Sequence, residues 1–298
     1  MADTDPAASI EDSDVYIVVD MEGISGVTDG RMIRTGHSQW ESRGRQLMTA
    51  DVNAAIEGAR EAGANRIYVK DGHDSGENVL SEELHESAEL ISGSTAWKNF
   101  MPALDDTFDV VLLLGFHARI GTTEAHFDHT VSTACVSEIR LNETPVGEIG
   151  IYGAVAGREG VPIGAVTGDA AAVDEAVDLF GDIETATVKQ GHGRTVARVR
   201  SPERTRPEIR EAARRAVEGD GTVWSLDTPL CAEVDFFRSA EADMAEIVPG
   251  AERTGGRTVQ YRHDDPEMVF DALQAILNLG NVAASQWARA LYTTGAPK

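Results

Sequence analysis

Three apolar stretches of this chain each end in residues able to bind a metal. The first is Val15-Tyr16-Ile17-Val18-Val19, followed by Asp20-Met21-Glu22-Gly23-Ile24-Ser25-Gly26. Residues two apart on a strand face the same way, so Asp20 and Glu22 can reach one point beyond the strand's C-terminal end. Open α/β sheets bind their ligands there. Ile67-Tyr68-Val69-Lys70-Asp71-Gly72-His73 and Val110-Val111-Leu112-Leu113-Leu114-Gly115-Phe116-His117 each end in a histidine. Glu148 opens a segment rich in small residues and adds a third carboxylate. Imidazole and carboxylate together suit zinc, and also manganese or iron. Asp20, Glu22, His73, His117 and Glu148 are more ligands than one tetrahedral ion needs. Two ions about 3.5–4 Å apart, sharing a carboxylate and a water, would use them all. Such a pair polarises a carbonyl and supplies hydroxide near neutral pH.

Taken singly, each residue has a plainer reading. An isolated Asp-x-Glu caps turns, a histidine after a strand is more often a hydrogen-bonded structural residue, and a glutamate at a helix start complements the dipole. The coincidence of several at strand ends favours a metal site.

The elements that must carry these residues are legible in the hydrophobic pattern. Residues 15–20, 67–70, 109–114 and 162–167 read as buried strands. Residues 38–62 read as a long helix with a stripe of Trp40, Leu47, Met48, Val52, Ala55 and Ile56, stopped by Gly63. Residues 88–92 read as a short strand and 130–141 as extended, with turn chemistry in Asn142-Glu143-Thr144-Pro145. Residues 148–157 read as a helix whose Gly150, Gly153, Ala154 and Ala156 allow close packing. Asp169 is a natural N-cap for a helix over 170–180, and Ser201-Pro202-Glu203 starts another reaching about Val217. Residues 185–188, 196–199, 230–236 and 258–261 read as strands, and 267–293 as one or two closing helices. Alternating strands and helices predict an α/β fold with a mixed, mostly parallel central sheet flanked by helices. The expected division is an acidic flexible tail over 1–13, a metal-binding catalytic domain over 14–200, and a smaller C-terminal α+β portion over 201–298 packed on it.

Composition narrows the partners. The 298 residues carry 50 acidic against 26 basic side chains, net −24. Phosphate binding needs clustered Lys and Arg, so nucleic acid is not the expected partner. No apolar run approaches the roughly 20 residues of a spanning helix, and the N-terminus lacks the pattern of a signal peptide, so a cytoplasmic protein without membrane contact is expected. Only four of the basic residues are lysines, against 22 arginines. An acidic, lysine-poor surface fits a halophile, because high salt screens the self-repulsion. The two cysteines, Cys135 and Cys231, form no CxxC, which excludes a zinc knuckle and leaves them as small hydrophobes.

The strings VDMEGISG, DGHDSGEN, LGFHAR, Asp128-His129-Thr130 and PVGEIG, in this order and spacing, resemble the zinc-dependent D-aminopeptidase family of the DppA type. Leu90-Ile91-Ser92-Gly93, Val166-Thr167-Gly168-Asp169 and Val188-Lys189-Gln190 extend the similarity over roughly residues 15–290. The resemblance implies two zinc ions held by Asp20, Glu22, His73, His117 and Glu148, with Asp20 as the bridge. It implies a catalytic histidine at His129, acting as general acid/base or as nucleophile. It also implies a ring-like homo-oligomer, of decamer size, that admits only small peptides. The stretch between His117 and His129 is one residue longer than the family pattern, which makes His126 a rival. His129 is preferred because Thr130-Val131 continues as the family's strand does. Asp128 stands where a small polar residue is expected, and its charge would act on the His129 pKa. His192 is another departure, read as a solvated loop residue, while His37, His85 and His263 read as structural or surface residues.

The function expected is a dinuclear zinc aminopeptidase releasing N-terminal D-residues from short peptides. The alternatives are a metal-dependent amidase of a non-peptide substrate and a non-catalytic peptide-binding accessory of a transporter. The missing signal peptide and the five ligand-type residues argue against the accessory protein.

Overall fold

The computed structural model describes residues 12–94 and 100–292, with side chains as far as residue 287. Apart from its last two residues, the expected tail over 1–13 lies outside the described residues. The chain runs through β1 (Ser13–Val19), α1 (Gly30–Ile33), α2 (Arg45–Glu61), β2 (Ala64–Asp71), β3 (Ala88–Ile91), β4 (Val110–Phe116), β5 (Val136–Leu141) and β6 (Thr144–Val146). It continues with α3 (Glu148–Arg158), β7 (Ile163–Asp169), α4 (Ala170–Phe180), β8 (Glu184–Gly191), β9 (Ala197–Val199) and α5 (Pro202–Glu218). The last elements are β10 (Leu230–Phe236), α6 (Ser239–Ala245), β11 (Glu252–Arg253), β12 (Thr258–His263) and α7 (Pro266–Tyr292). The helix expected from residue 38 enters α2 through a π-helical turn over Trp40–Gly44.

The larger sheet has the order β3-β2-β1-β4-β7-β8-β9. All its pairings are parallel except that of β8 with β9. Its centre is apolar on both faces. Val15, Ile17, Val19, Leu112 and Leu114 pack with Met48 and Val52 of α2 and Ile209 and Ala213 of α5. Tyr16, Val18, Val111 and Leu113 point the other way, into a core shared with α3, α7 and the second sheet. Full burial of such a side chain contributes about 1.5–3 kcal/mol, so the continuous apolar runs commit β1 and β4 to the middle of the sheet.

The second sheet is antiparallel, in the order β11-β12-β10-β5-β6. Its strands come from both sides of residue 201, and α5, which follows that residue, packs beside α2 on the first sheet. A boundary at residue 201 therefore does not separate the two sheets. Within the expected extended segment 130–141 only Val136–Leu141 is a strand. Val131 takes φ of 58°, which no strand tolerates, and the preceding loop turns back on itself. Asn142 and Glu143 both have positive φ and close a two-residue hairpin to β6, where Pro145 sits on an edge strand. α1, β6, α6 and β11 were not expected, since each is too short to show a period.

Candidate metal centre

Parallel neighbours end at the same edge of a sheet, so the order β2-β1-β4 sets three strand ends side by side. Backbone bonds continue the pairing past the strands: Asp20 N–H donates to the Leu114 carbonyl (2.8 Å), Gly23 N–H to that of Gly115 (2.7 Å), and Gly72 N–H to that of Val19 (2.8 Å). The turn carrying Glu22 thus lies directly on the turn leading to His117. A Cβ at residue 23 would stand 2.5 Å from the Gly115 carbonyl carbon, and Gly115 itself has φ of 70°. Glycine is required at both places.

Several residues not singled out as positioning groups in the sequence hold this arrangement. The buried Lys189 on β8 donates to the carbonyls of Glu22, Val27 (2.6 Å) and Ile24 (3.3 Å), tying down the Glu22 turn. Glu175 on α4 accepts from Arg119 N–H (2.7 Å) and Gly147 N–H (3.2 Å), joining the loop after His117 to the residue before Glu148. Asp169 caps α4 as expected, accepting from Ala172 N–H (3.1 Å), and also accepts from His126 N–H (2.9 Å). Asp71 accepts from Asn78 N–H (2.6 Å) and Val79 N–H (2.8 Å), closing the loop that carries His73. For Lys189 the available signal was a lysine following Val188 in a chain with only four lysines.

The five expected ligand residues converge. His73 Nδ1 lies 3.1 Å from Asp20 Oδ1 and 3.0 Å from Glu22 Oε2. His117 Nε2 lies 3.4 Å from Asp20 Oδ2 and 3.2 Å from Glu148 Oε1. Asp20 therefore turns one carboxylate oxygen to each of two groups. His129 joins the second, its Nε2 3.6 Å from Glu148 Oε1 and its ring stacked on that of His117 at 3.9 Å. Ligand atoms of His117, His129 and Glu148 lie within 4.8 Å of one another, as do those of Asp20, Glu22 and His117.

The far nitrogen of each ring meets a backbone carbonyl: His73 Nε2 that of Ile33 (2.7 Å), His117 Nδ1 that of Ala118 (3.0 Å), His129 Nδ1 that of Phe127 (2.9 Å). A carbonyl only accepts, so that nitrogen carries the proton. The near nitrogen then faces carboxylate oxygens, which also only accept. Such a contact requires a cation, either a second ring proton or a metal ion. Asp20 Oδ2, Glu22 Oε2 and His117 Nε2 are buried without a hydrogen bond, and imidazoles fixed from behind by a carbonyl are the usual setting of metal ligands. The donor set fits a divalent metal.

Electrostatics follow the same geometry. Burial opposes the charged form of His73, but the Glu22 and Asp20 carboxylates outweigh it and raise its pKa well above the usual histidine range. Burial likewise opposes the charged form of His117, and Glu148, Asp20 and Glu22 outweigh it. Burial also penalises the Glu148 carboxylate, yet His117, His129 and the Val131 N–H bring its pKa down to about 2. Burial and the adjacent Glu22 push Asp20 up. The acids and bases here share charge that a cation would neutralise.

His129 lines a cavity of about 480 Å³ together with Asp20, His73 and Glu148. The loop that presents it is strained, with Phe127 at φ of 59° and Val131 at 58°. Val131 N–H in turn donates to Glu148 Oε1 (2.7 Å). His126 is elsewhere: its ring is fully buried against Phe127, and burial and then Lys189 lower its pKa to about 4. Asp128 does not serve His129. Its carboxylate accepts from Gly121 N–H (2.7 Å) and pairs with Arg194 (3.0 Å). His192 is exposed in its loop. His37, His85 and His263 each accept a backbone N–H two residues on, a local structural role.

Residues 14–275 match the family model for D-aminopeptidases. The chain belongs to the D-aminopeptidase family. Among its relatives is the D-aminopeptidase of Bacillus subtilis (strain 168), 35% identical over 273 residues that cover 90% of this chain and 97% of the relative. The fold is that of a solved Zn-dependent D-aminopeptidase, DppA from Bacillus subtilis, described as a self-compartmentalizing protease. The TM-score is 0.84 at 34% identity, covering 91% of this chain and 97% of that one. The expected mixed, mostly parallel sheet with flanking helices is the larger sheet here, within a fold that matches that structure. Among the described residues no helix is long and apolar enough to cross a membrane.

Proposed function

We propose that this D-aminopeptidase family member is a dinuclear zinc enzyme that releases N-terminal D-residues from short peptides. The observation that carries the reading is the pair of imidazole–carboxylate groups joined through the two oxygens of Asp20. Asp20, Glu22 and His73 would hold one ion, and Asp20, His117 and Glu148 the other. Bound zinc supplies Lewis acidity, polarising a carbonyl and making water nucleophilic near neutral pH. His129 is assigned the proton transfer. Its Nε2 is the farthest of the three imidazole nitrogens from its carboxylate, it lines the cavity, and its Nδ1–H is fixed on the Phe127 carbonyl. It would accept a proton at Nε2 and return it to the leaving amine. Gln274 and Asn281 of α7 and Ser75 line the same cavity with neutral polar groups suited to a peptide backbone. A cytoplasmic setting and a ring-like homo-oligomer, of decamer size, belong to the same proposal. The self-compartmentalizing description of the solved relative supports the oligomer.

The test is metal analysis of the purified protein together with release of D-alanine from D-Ala-D-Ala and of L-alanine from its L,L counterpart. About two zinc ions per chain, D-selective hydrolysis, loss of activity on chelation, and loss of both ions in Asp20→Ala are expected. Metal-free protein with full activity, or a preference for the L,L dipeptide, would overturn the reading.

A further inference from the structure

The two lysines among the described residues, Lys70 and Lys189, are both buried, while arginine supplies the surface cations. They differ in how their ammonium groups are matched. An ammonium has three donors. Lys189 places its donors on three backbone carbonyls and is a structural clamp. Lys70, 3% exposed at the end of β2, makes one hydrogen bond among the described residues, to the Tyr152 hydroxyl at 3.0 Å. No carboxylate among the described residues forms an ion pair with it. The neighbouring Asp71 is engaged by Asn78 and Val79, while Asp20 and Glu148 face the histidines. Lys70 lines the same cavity as Asp20, His73, His129 and Glu148. Tyr152, which also lines it, is locked edge-on against Phe116 (5.5 Å) and Phe100 (6.2 Å).

A buried ammonium with unused donors is costly unless an anion completes it. Two zinc ions on the adjacent carboxylates would remove the negative charge that otherwise surrounds Lys70. A short peptide brings one full negative charge into such a cavity, its terminal carboxylate. We propose that Lys70 is a substrate-binding residue that holds the C-terminal carboxylate of a short peptide, with Tyr152 as the residue that positions it. This rests on the aminopeptidase reading above and names a substrate class within it: free dipeptides, preferred over those with a blocked C-terminus. Burial lowers the Lys70 pKa from 10.5 to about 8, and a carboxylate bound against it would favour the charged form.

The experiment compares D-Ala-D-Ala with its C-terminal amide, which has the same scissile bond and no carboxylate, using zinc-loaded enzyme. Wild type is expected to have the lower KM for the free dipeptide. Lys70→Met should raise that KM about ten- to a hundred-fold, the usual worth of a charge-assisted hydrogen bond. Its effect on the amide should be at least several-fold smaller, with the zinc content and the fold retained. Tyr152→Phe, which keeps the aromatic packing, should shift the free dipeptide in the same direction by less, and it stands as the test if Lys70→Met does not fold. Equal losses on both substrates, or an unchanged KM for the free dipeptide, would overturn the assignment. Wild type that cleaves neither substrate would refute the aminopeptidase reading instead, before any variant is made.

Discussion

Gly23 fixes how far Glu22 stands from His117, and Gly23→Ala should break the proposed metal centre without touching a proposed ligand. An added Cβ would overlap the Phe116 carbonyl oxygen and stand 2.5 Å from the Gly115 carbonyl carbon, where ordinary contact begins at 3.4 Å. Both neighbours are backbone, so neither can rotate away. The two turns must part by about an ångström, stretching the 2.7 Å bond between Gly23 N–H and Gly115. Metal–ligand distances tolerate only about ±0.2 Å. The Glu22 carboxylate would leave the reach of the ion it is proposed to share with Asp20 and His73. Zinc affinity should fall at least the roughly 10–100-fold typical of lost supporting contacts, and kcat/KM about 100-fold for a misplacement of this size. Overpacking of this kind also costs about 1–3 kcal/mol of stability. Zinc competition against a chelator of known affinity, thermal melts and kcat/KM measure the three effects. Gly30→Ala is the control, because a Cβ there meets nothing within 4 Å. Gly23→Ala with wild-type zinc affinity and activity would refute the claim that this close approach sets the site.

His129→Ala should keep its zinc and its fold while hydrolysis drops at least ~100-fold. His126→Ala, whose ring is buried away from the cavity, should do much less, and the opposite pattern would transfer the role to His126. Loss of zinc from His129→Ala would make it a ligand. Zinc affinity should rise with pH across neutrality: in the metal-free protein the carboxylates hold protons on His73 and His117 above the usual range, and proton and metal compete for the same nitrogens. Chelator competition at pH 6 and pH 8 tests this, and a pH-independent affinity would contradict it. With a net charge of −24, the fold or the proposed oligomer should weaken below about 0.1 M salt, where the Debye length exceeds roughly 10 Å. Melting temperatures that stay flat from low to molar salt would show that the acidic surface is no salt adaptation.

The sequence by itself determined the local elements and the chemistry at their ends. Apolar β-branched runs of five to seven residues have one stable use, as strands buried on both faces, so β1, β4 and β7 were legible. So were Asp169 as a cap and the small residues of α3, because these patterns act within a few positions. The five carboxylates and histidines could be named because each stops an apolar run or starts a helix. Only the tertiary structure decided which of them meet. The order β2-β1-β4, not any feature of a single strand, puts His73, Asp20 and His117 at adjacent ends, and the hairpin β5–β6 delivers Glu148 from 128 positions away in the chain. The same holds for Lys70, Glu175 and Lys189, which look like ordinary polar residues until burial leaves them with a cavity, two amide groups or three carbonyls to satisfy. Membership of the two sheets was illegible for a related reason. A composition shift marks where a linker is cheap, whereas sheet membership is set by pairing between distant strands, and β10 pairs with β5. Local sequence fixes propensity and side-chain chemistry. Strand order and burial are sums over the whole chain, and they alone set which of those groups share a site.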